Sequence, residues 1–399
     1  MSYDFEPTPR AAADRLEQLD PRAYAHSRNH LDGAVSGLSP YLTHGFLSVP
    51  DVASVMYHRH RLGVQHRFIF ELGWREYFQH MHQHLGNEGL AQSLSPGVLP
   101  DEAYSQELPQ DVRAGCTGVP VVDNAVRLLY ETGYLHNHAR LWLASYVVHL
   151  RKVHWRVGAD WLYGHLLDGD IASNYMSWQW VAGTLGEKPY LFNAESIEQF
   201  APESWYSRGT ALDTSYEVLD ILANNPATVS QASMSELAWS EPAVLSQPLP
   251  EHNLAWPSSQ VIEGRDVWLV HPWHLADLPS DLPADVVVVA VIWREATQAH
   301  PWNQRRWNFV TQRMHALTDV CWFGTEAEIE QALSYAKCVH AVAHLRLPVW
   351  SSVRVQWRAA PRLFRDVDKL QNSFSKWWVQ VNRNVRHLQQ LVYPVARRG

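Results

Sequence analysis

Leu167-Asp-Gly-Asp-Ile-Ala-Ser-Asn174, followed shortly by Trp178-Gln-Trp180, forms the densest cluster of polar and aromatic residues in the sequence. It follows a helical pattern through Trp161, Leu162 and Leu166, and two acids on either side of a glycine indicate a turn. Carboxylates in such a turn can accept hydrogen bonds from a ring N–H or a ribose hydroxyl, or can bind a metal. A solvated surface turn has the same spacing, so this cluster alone does not decide between a binding site and a surface.

Two other polar clusters precede this turn, and each has an ordinary structural explanation. Glu71 and Arg75 lie four residues apart on one face of a predicted helix, where a surface ion pair is the default interpretation. Asn137 and Arg140 follow Gly133 near the start of another helix, where a cap or a surface turn is equally consistent with the pattern.

Three closely spaced histidines in the first of these helices resemble a metal site. Only His80 and His84 share a helical face, because His82 lies on another side of the helix, and a His-Glu-x-x-His pattern is absent. We therefore predict no metal.

Residues 1–200 are predicted to be helical. Ser48-Val-Pro-Asp51 has the capping serine, early proline and first-turn acid of a helix start, and Val121 to Glu131 should form a helix that Gly133 ends. Residues 204–262 are rich in Ser, Pro, Asn and Ala, which predicts a long linker with one or two short helices.

The rest of the chain alternates between strand and helix patterns. Four short apolar runs suit strands that are buried on both faces of a parallel sheet: Val267 to Val270, Val286 to Trp293, Val320 to Phe323 and Val339 to Val342. Thr325-Glu-Ala-Glu328 is a capping box that starts a helix directly after the third run. The alternation predicts an α/β layer domain, and helical periodicity returns from Phe364 to Val392.

Composition and charge are those of an ordinary globular protein, with 46% hydrophobic and 19% charged residues, although 19 tryptophans are unusual. The net charge is −8, and residues 1–200 hold 15 Lys and Arg against 22 Asp and Glu. Bulk charge therefore does not indicate a nucleic-acid binder, although a local basic groove is compatible with it. Three separated cysteines give no disulfide framework or zinc site, which predicts a cytoplasmic setting, and no apolar run is long enough to span a membrane.

Five sequence blocks, which include the three polar clusters, occur in order along the first half of the chain. They are Leu38-Ser-Pro-Tyr-Leu-Thr-His-Gly45, Glu71-Leu-Gly-Trp-Arg-Glu-Tyr-Phe78, Thr117-Gly-Val-Pro-Val-Val-Asp123, Thr132-Gly-Tyr-Leu-His-Asn137 and Leu167 to Asn174. Together with Trp178-Gln-Trp180 they resemble the FAD-binding helical domain of the photolyase/cryptochrome family, over about residues 20–200. The resemblance implies that the three polar clusters belong to one site.

Residues 266–350 in turn resemble the antenna α/β domain, which precedes the FAD-binding domain in that family. The family's Arg-Arg-Asp loop is replaced by His-Pro-Trp after the first strand. The predicted fold class is therefore α + α/β: an all-helical photolyase-type FAD-binding domain (1–203), a linker (204–262) and a Rossmann-like antenna-type domain with a C-terminal helical segment (263–399). This order is reversed, as in a circular permutation. The sequence does not identify an antenna chromophore.

The resemblance implies FAD as the cofactor and a set of residues around it. That set comprises Tyr24, Ser36, Gly37, Leu38, Ser39, Phe68, Arg75, Tyr134, Asn137, Arg140, Asp168, Asp170 and Asn174. Tyr24, Ser36, Ser39 and Arg75 would lie near the phosphates. The backbone N–H groups and hydroxyls of the Gly37–Ser39 turn suit a pyrophosphate. Asn137 would face flavin N5, and Arg140 would pair with Asp168 and keep it a carboxylate beside the ring.

The implied reaction is light-driven repair of a pyrimidine dimer in damaged DNA. Excited reduced FAD would donate an electron, the cyclobutane bonds would split, and the electron would return. Trp74 and Trp180 would be apolar walls for a flipped dimer, since extruding a damaged base pair costs less than extruding a normal one. Glu71 would hydrogen-bond the dimer carbonyl, and Asn137 completes the catalytic candidates.

The family's tryptophan relay for electron transfer is incomplete in this sequence. Trp178 and Trp155 match its two inner members, whereas no tryptophan lies between residues 75 and 141, where the outer member is expected. Tyr104 or a tryptophan of the α/β domain is the candidate substitute.

Several departures leave a second function open. His138 stands where repair enzymes have an arginine at the lesion, Leu141 replaces a frequent methionine, and Tyr175-Met-Ser177 replaces Asn-Gly-Gly. Phe68 and Tyr134 each replace a tryptophan. These differences favour a cryptochrome-like FAD photoreceptor or signalling protein without repair activity, or a light-independent flavoprotein.

Overall fold

The structure is a computed structural model that describes residues 3–186, 188–230 and 238–392. Its first half is helical, as predicted. The helices are α1 (Pro9–Gln18), α2 (Pro21–Ser27), α3 (Ser39–Thr43), α4 (Val49–His60), α5 (Arg67–Leu90), α6 (Gln110–Arg113), α7 (Pro120–Thr132), α8 (Asn137–Ser145), α9 (Trp155–His165), α10 (Ile171–Ala182), α11 (Ala194–Phe200) and α12 (Tyr216–Ala223).

Local sequence explains where these helices begin and end. The Ser48 side chain and the Asp51 carboxylate cap α4 reciprocally, and α7 ends at Gly133, which adopts a φ of 69°. A buried π-helical turn, Tyr146–Leu150, follows α8. Helix α10 packs against α5, α8 and α9, so the polar clusters of these helices lie around one centre.

The second half contains a five-stranded parallel sheet. Its elements are β1 (Val244–Leu245), β2 (Asp266–Val270), β3 (Val287–Trp293), α13 (Arg294–Ala299), β4 (Trp302–Asn303), α14 (Gln304–Leu317), β5 (Cys321–Gly324), α15 (Glu326–Leu333), β6 (Cys338–Val342), β7 (Val355–Arg358), α16 (Phe374–Val381) and α17 (Gln389–Val392). The sheet order is β5-β3-β2-β6-β7, and every neighbouring pair is parallel. The four predicted apolar runs form β2, β3, β5 and β6, and Thr325 caps α15 as predicted.

The segment predicted as a linker, 204–262, forms hydrogen bonds with both halves of the chain. It contains the short helix α12, whose terminal carbonyls accept hydrogen bonds from the buried Lys152 ammonium. It also contains β1, which pairs antiparallel with β4. The part of this segment at 231–237 lies outside the described residues.

The α/β half holds the Asp168-Gly-Asp170 turn in place. The guanidinium of Arg306, on α14, donates to Gly169 O at 2.7 Å, and the Asn303 amide donates to His165 O at 2.6 Å. The ring nitrogens of the fully buried His44 lie 2.7 Å from Pro272 O and 3.0 Å from Leu167 O. Side chains of the α/β half therefore fix the backbone around Asp168.

The C-terminal segment differs from its predicted continuous helical periodicity. Only α16 and α17 are helical within it. Upstream of α16 the chain is irregular because side chains of α5 bind its backbone: the Glu76 carboxylate accepts the N–H groups of Leu363 and Phe364 at 2.6 and 3.0 Å. These tertiary hydrogen bonds replace the ones a helix would make. Helix α16 packs on α5, with the rings of Phe374 and Trp74 stacked at 4.0 Å.

Candidate functional site

An open cavity of about 530 Å³ lies between α2, the turn before α3, α5 and the start of α8, and it continues into a smaller lobe of about 210 Å³. Most residues implied by the resemblance line it. The larger part is lined by Tyr24, Ser36, Leu38, Ser39, Phe68, Glu71, Trp74, Arg75, Tyr134, Asn137, Arg140, Asp168 and Trp180. The smaller lobe adds Asp170, Asn174 and Trp178. Gly37 and Trp155 are not part of either lining.

Asp168 and Arg140 form a two-contact ion pair on the cavity wall. One guanidinium nitrogen of Arg140 lies 2.8 and 3.0 Å from the two carboxylate oxygens, and Arg140 Nε donates to Leu135 O at 2.9 Å. The Asp168 side chain is only 2% exposed. Because a buried carboxylate is costly without a partner, Arg140 is what permits a negative charge at this position.

The second acid of the turn, Asp170, caps α10 and binds α5. Its carboxylate accepts the Ser173 N–H at 2.8 Å and the Gln79 amide at 3.0 Å. Burial alone would raise the pKa of Asp170, but the charge of Arg75 and the Ser173 hydrogen bonds lower it overall. Both acids of the turn are therefore held by named donors and are not solvated.

The ion pair expected between Glu71 and Arg75 does not form. Arg75 donates to the Thr43 hydroxyl at 3.1 Å, and its charge acts on Asp170. Glu71 instead lies 3.4 Å from Nε of Arg28, the residue that directly follows α2. The helical spacing correctly placed Glu71 and Arg75 on one face of α5. That face lines the cavity, however, and each of the two side chains binds a partner from another element. Burial raises the pKa of the Glu71 carboxyl, and the charges of Arg28 and Arg67 oppose this shift.

The start of α8 contributes an amide and an imidazole to the cavity. The Asn137 side chain is exposed into the cavity and makes no hydrogen bond within the described residues. Burial and the charge of Arg28 lower the pKa of His138 to about 4, and its buried Nδ1 has no partner in the part of the chain that the structure describes. Both groups are available to a bound molecule.

Ser36, Leu38 and Ser39 of the turn before α3 line the cavity, although the residues Gly37 and Leu38 are largely buried. Gly37 has a φ of 60°, a conformation that strains residues with a Cβ, and Leu38 N–H donates to the Ser36 hydroxyl at 3.3 Å. Helix α3 then begins without a side-chain cap. Tyr134 lies beneath this turn, and burial raises its pKa to about 12, so it stays a neutral phenol.

Of the two tryptophans of the proposed relay, Trp178 lines the smaller lobe of the cavity, and Trp155 is part of neither lining. Trp178 packs so closely on α9 that a Cβ at Gly158 would approach its ring to 2.3 Å. Trp155 donates to the Ser93 hydroxyl and contacts the ring of Tyr175 edge-on at 5.7 Å. Tyr104, the candidate outer member, reaches Trp155 only through His154.

Residues 68–208 match the family model of the FAD binding domain of DNA photolyase, which covers α5 through the segment after α11. This part of the chain is similar to proteins of the photolyase/cryptochrome family. A deoxyribodipyrimidine photo-lyase of Vibrio cholerae is 34% identical over 182 residues, and a cryptochrome DASH of Idiomarina loihiensis is 33% identical over 233 residues.

These relatives are matched only in part. The alignments cover 43 and 55% of this chain and 39 and 52% of the two relatives, so the chain spans about half of their length or less. The crystal structure of a bacterial class III photolyase from Agrobacterium tumefaciens is 29% identical over 48% of this chain and 42% of that one, with a TM-score of 0.42.

The cavity of this photolyase/cryptochrome-type domain fits FAD by its donor set. The unpartnered Asn137 amide can meet a heteroaromatic ring edge, and the N-termini of α8 and α10 point their partial positive charge toward the same space. Cations and anions alternate on its walls: Arg75, Arg140, Asp168 and Asp170. FAD is the cofactor for which this domain type is named.

Three residues of the site could not be recognised from the sequence motifs. Arg28, Gln79 and Arg306 hold Glu71, Asp170 and Gly169 respectively. Gln79 shares the face of Arg75 at helical spacing, which is a usable signal. Arg28 and Arg306 act across elements far apart in the chain, so the sequence carries no local signal for their contacts.

The three histidines of α5 each bind another partner. His80 Nε2 accepts the N–H of Gln371, His82 Nε2 lies 2.8 Å from Asn87 Oδ1, and His84 Nε2 lies 3.0 Å from Val367 O. Among residues 3–186, 188–230 and 238–392, no group of three or more potential ligands is arranged to hold a metal ion. In the same residues, no helix combines the length and hydropathy needed to cross a membrane.

Proposed function

We propose that the protein is a light-driven, FAD-dependent DNA photolyase that splits pyrimidine dimers. The observation that carries the proposal is the convergence of Glu71, Asn137 and the Asp168–Arg140 pair on one open cavity. The photo-lyases among the relatives support the same reaction class.

The residues that would hold the cofactor follow from the lining of the cavity. The Ser36–Ser39 turn and Tyr24 would lie against the pyrophosphate, Asn137 against the flavin N5 edge, and Asp168 and Asp170 against the ring edge and ribose. The chemistry supplied by bound, reduced FAD is the photo-excited donation of one electron, which returns after the dimer has opened. The chain itself contributes fixed charges and the exclusion of water around that ring.

Glu71 would act on the lesion itself. Burial raises the pKa of its carboxyl, and in its protonated form the carboxyl would donate a hydrogen bond to a dimer carbonyl, where negative charge develops after electron uptake. Trp74 and Trp180 would flank the flipped bases, and Trp180 is 41% exposed, as a residue at a cavity mouth would be. Trp74 is fixed for this role by its stacking on Phe374.

Trp178 and Trp155 would carry electrons toward the cavity when the cofactor has to be reduced. For the outer position, Tyr175 contacts Trp155 directly, whereas Tyr104 does so only through an imidazole. Tyr175 also donates a hydrogen bond to Asp160, so its proton has an acceptor.

A cryptochrome-like photoreceptor without repair activity is the second candidate. The lowered pKa of His138 makes it neutral at pH 7, so it lacks the positive charge that repair enzymes carry at this position. A cryptochrome DASH is among the relatives, which also supports this second candidate.

Two further parts of the proposal concern the whole chain. We infer a cytoplasmic setting, because its three cysteines are unbridged and buried. We also infer a reversed domain order, because a parallel α/β sheet follows the helical FAD-binding part in this chain. The antenna chromophore, if the sheet binds one, is left unassigned.

A repair assay with a matched pair of variants tests the proposal. The purified, reduced protein is illuminated with a dimer-containing oligonucleotide, and the recovery of thymine absorbance is followed. Glu71→Gln should lower the repair rate by at least about tenfold, because it removes a carboxyl proton donor, whereas Glu88→Gln on the exposed side of α5 should not. FAD binding without any repair would favour the photoreceptor.

A further inference from the structure

Residues 3–8 precede α1 as an irregular stretch that packs on the wall of the FAD cavity. We call this stretch the N-terminal strap. The Tyr3 ring stacks on the Tyr134 ring at 5.0 Å, and the Phe5 ring contacts the same tyrosine at 5.4 Å. Tyr134 lines the cavity, so the strap bears directly on a residue of its wall. The strap lies outside the residues matched by the FAD-binding family model.

Phe5 anchors the strap in the helical core. It is only 8% exposed, and its ring contacts that of Tyr41 edge-on at 6.2 Å. Tyr41 belongs to α3, and its hydroxyl donates to Glu6 O at 3.0 Å. The strap is therefore joined to Tyr134, beneath the turn before α3, and to Tyr41, in the helix that follows this turn.

Arg15 of α1 connects the strap to the turn itself. Its guanidinium donates to the carbonyl oxygen of Asp4 and lies over the Phe5 ring at 4.4 Å. A Cβ at Gly37 would lie 3.0 Å from Arg15 Nη1, so the same guanidinium also packs against the backbone of the turn. One side chain can make these contacts because a guanidinium donates hydrogen bonds in its plane and stacks through its face.

A second cavity, of about 610 Å³, lies beside the strap. Val35 and Ser36 line both this cavity and the FAD cavity, so the turn before α3 is the wall between them. Among residues 3–8, all of which the structure describes, Phe5 alone is buried. A segment with so few buried contacts, bordered by open space, can open locally while the helices around it stay folded.

We infer that the N-terminal strap holds the FAD site closed and that the release of bound FAD requires the strap to open. The inference rests on the proposed cofactor, but not on dimer repair. Phe5 and Arg15 would be positioning residues, because they act on the cofactor through Tyr134 and the turn. Coupling of this kind is reciprocal, so bound FAD should stabilise the closed strap as much as the closed strap stabilises bound FAD.

The first test measures the release of FAD from the loaded protein. Samples are passed over a desalting column at intervals, and the flavin absorbance that stays with the protein is followed. Arg15→Gln should release FAD about tenfold faster than the wild type, because a hydrogen bond from a charged donor and a cation–π contact are lost. Arg10→Gln, which breaks an exposed ion pair with Asp14 at 3.8 Å on the same helix, is the matched control and should release FAD at the wild-type rate.

The second test measures amide hydrogen exchange in the strap. Exchange in residues 3–8 should be slower in the FAD-loaded wild type than in its apoprotein, and Arg15→Gln should reduce this difference. Exchange in α15, in the α/β half, serves as the reference and should be the same in all samples. An unchanged reference excludes general destabilisation as the cause of faster FAD release.

The outcomes separate the strap from the proposed function. If the wild type binds FAD but Arg15→Gln releases it at the rate of Arg10→Gln, or if FAD leaves exchange in residues 3–8 unchanged, the inference is wrong, whatever the repair assay shows. If the strap behaves as expected but light splits no dimer, the repair proposal fails alone. If the wild type binds no FAD, both fail.

Discussion

Asp168 shows how much of this site depends on single residues. Its carboxylate is almost completely buried, and its negative charge is tolerated because Arg140 makes two contacts with it. Removing one partner of a buried pair leaves the other charge uncompensated, which costs more than the pair contributes. An exposed pair has no comparable penalty, because water replaces the lost partner.

Arg140→Met should therefore destabilise the protein by about 3 kcal/mol and lower its FAD content. Arg156→Met is the matched control: it breaks the half-exposed pair with Asp160 at 3.7 Å and should cost at most about 1 kcal/mol. Chemical denaturation and the flavin absorbance of the purified variants measure both effects. Equal stabilities and full FAD content in the two variants would refute the role given to Asp168.

The site residues that lie within a sequence motif were predictable. The contacts that they make with residues of other elements were not. The Asp168-Gly-Asp170 turn and Asn137 lie in sequence blocks, and the order of these blocks along the chain indicates the family. The true partner of Glu71 is Arg28, not Arg75, and no sequence spacing encodes a contact between α2 and α5.

Elements were predicted best where local signals agree. The capping residues at Ser48 and Thr325 and the four apolar runs gave helices and strands close to their actual bounds. Strand β7 was missed because its side chains are mostly exposed and lack an apolar run. Its place at the sheet edge depends on pairing with β6, which is a tertiary contact.

The docking of α16 depends on a glycine of α5. A Cβ at Gly73 would approach Cζ3 of Trp378 to 2.4 Å, so Gly73→Ala should displace α16. We expect a loss of about 1–3 kcal/mol from overpacking and faster amide hydrogen exchange in residues 374–381.

Gly63→Ala serves as the control for this prediction. Nothing lies within 4 Å of a Cβ at Gly63, so neither the stability nor the exchange rate should change there. If Gly73→Ala leaves both unchanged as well, α16 is not packed as described.

The whole molecule carries several imidazoles that burial keeps neutral. Burial lowers the pKa of His44 to about 3, with Arg306 adding to the effect, of His149 to about 4, and of His271 to about 3. Their pKa in the unfolded chain is near 6.5, so the unfolded state binds more protons as the pH falls below that value. Their stabilising contribution is present above pH 6.5 and is lost as the pH falls toward 4.

The free energy of unfolding should accordingly drop between pH 7 and pH 5, by about 2 kcal/mol for each of these three histidines. Glu76 acts in the opposite direction, because burial raises its pKa to about 7 and so favours folding at lower pH. Three histidines outweigh one carboxyl, so denaturant titrations at the two pH values should show a net loss. A stability that is flat or rises toward pH 5 would contradict these burial assignments.

The arrangement of the two halves was only partly accessible from sequence. The α + α/β class follows from periodicity, but the bracing of the Asp168 turn by Arg306 and His44 requires the docked halves.

The recovery of thymine absorbance under blue light distinguishes dimer repair from light sensing without repair. The reduced, FAD-loaded protein is mixed with an oligonucleotide that carries one cyclobutane dimer, and half of the sample is kept in the dark. We expect the absorbance to recover in the illuminated half alone, until every dimer is split. No recovery in light, from protein with a full complement of reduced FAD, would show that the protein does not repair pyrimidine dimers.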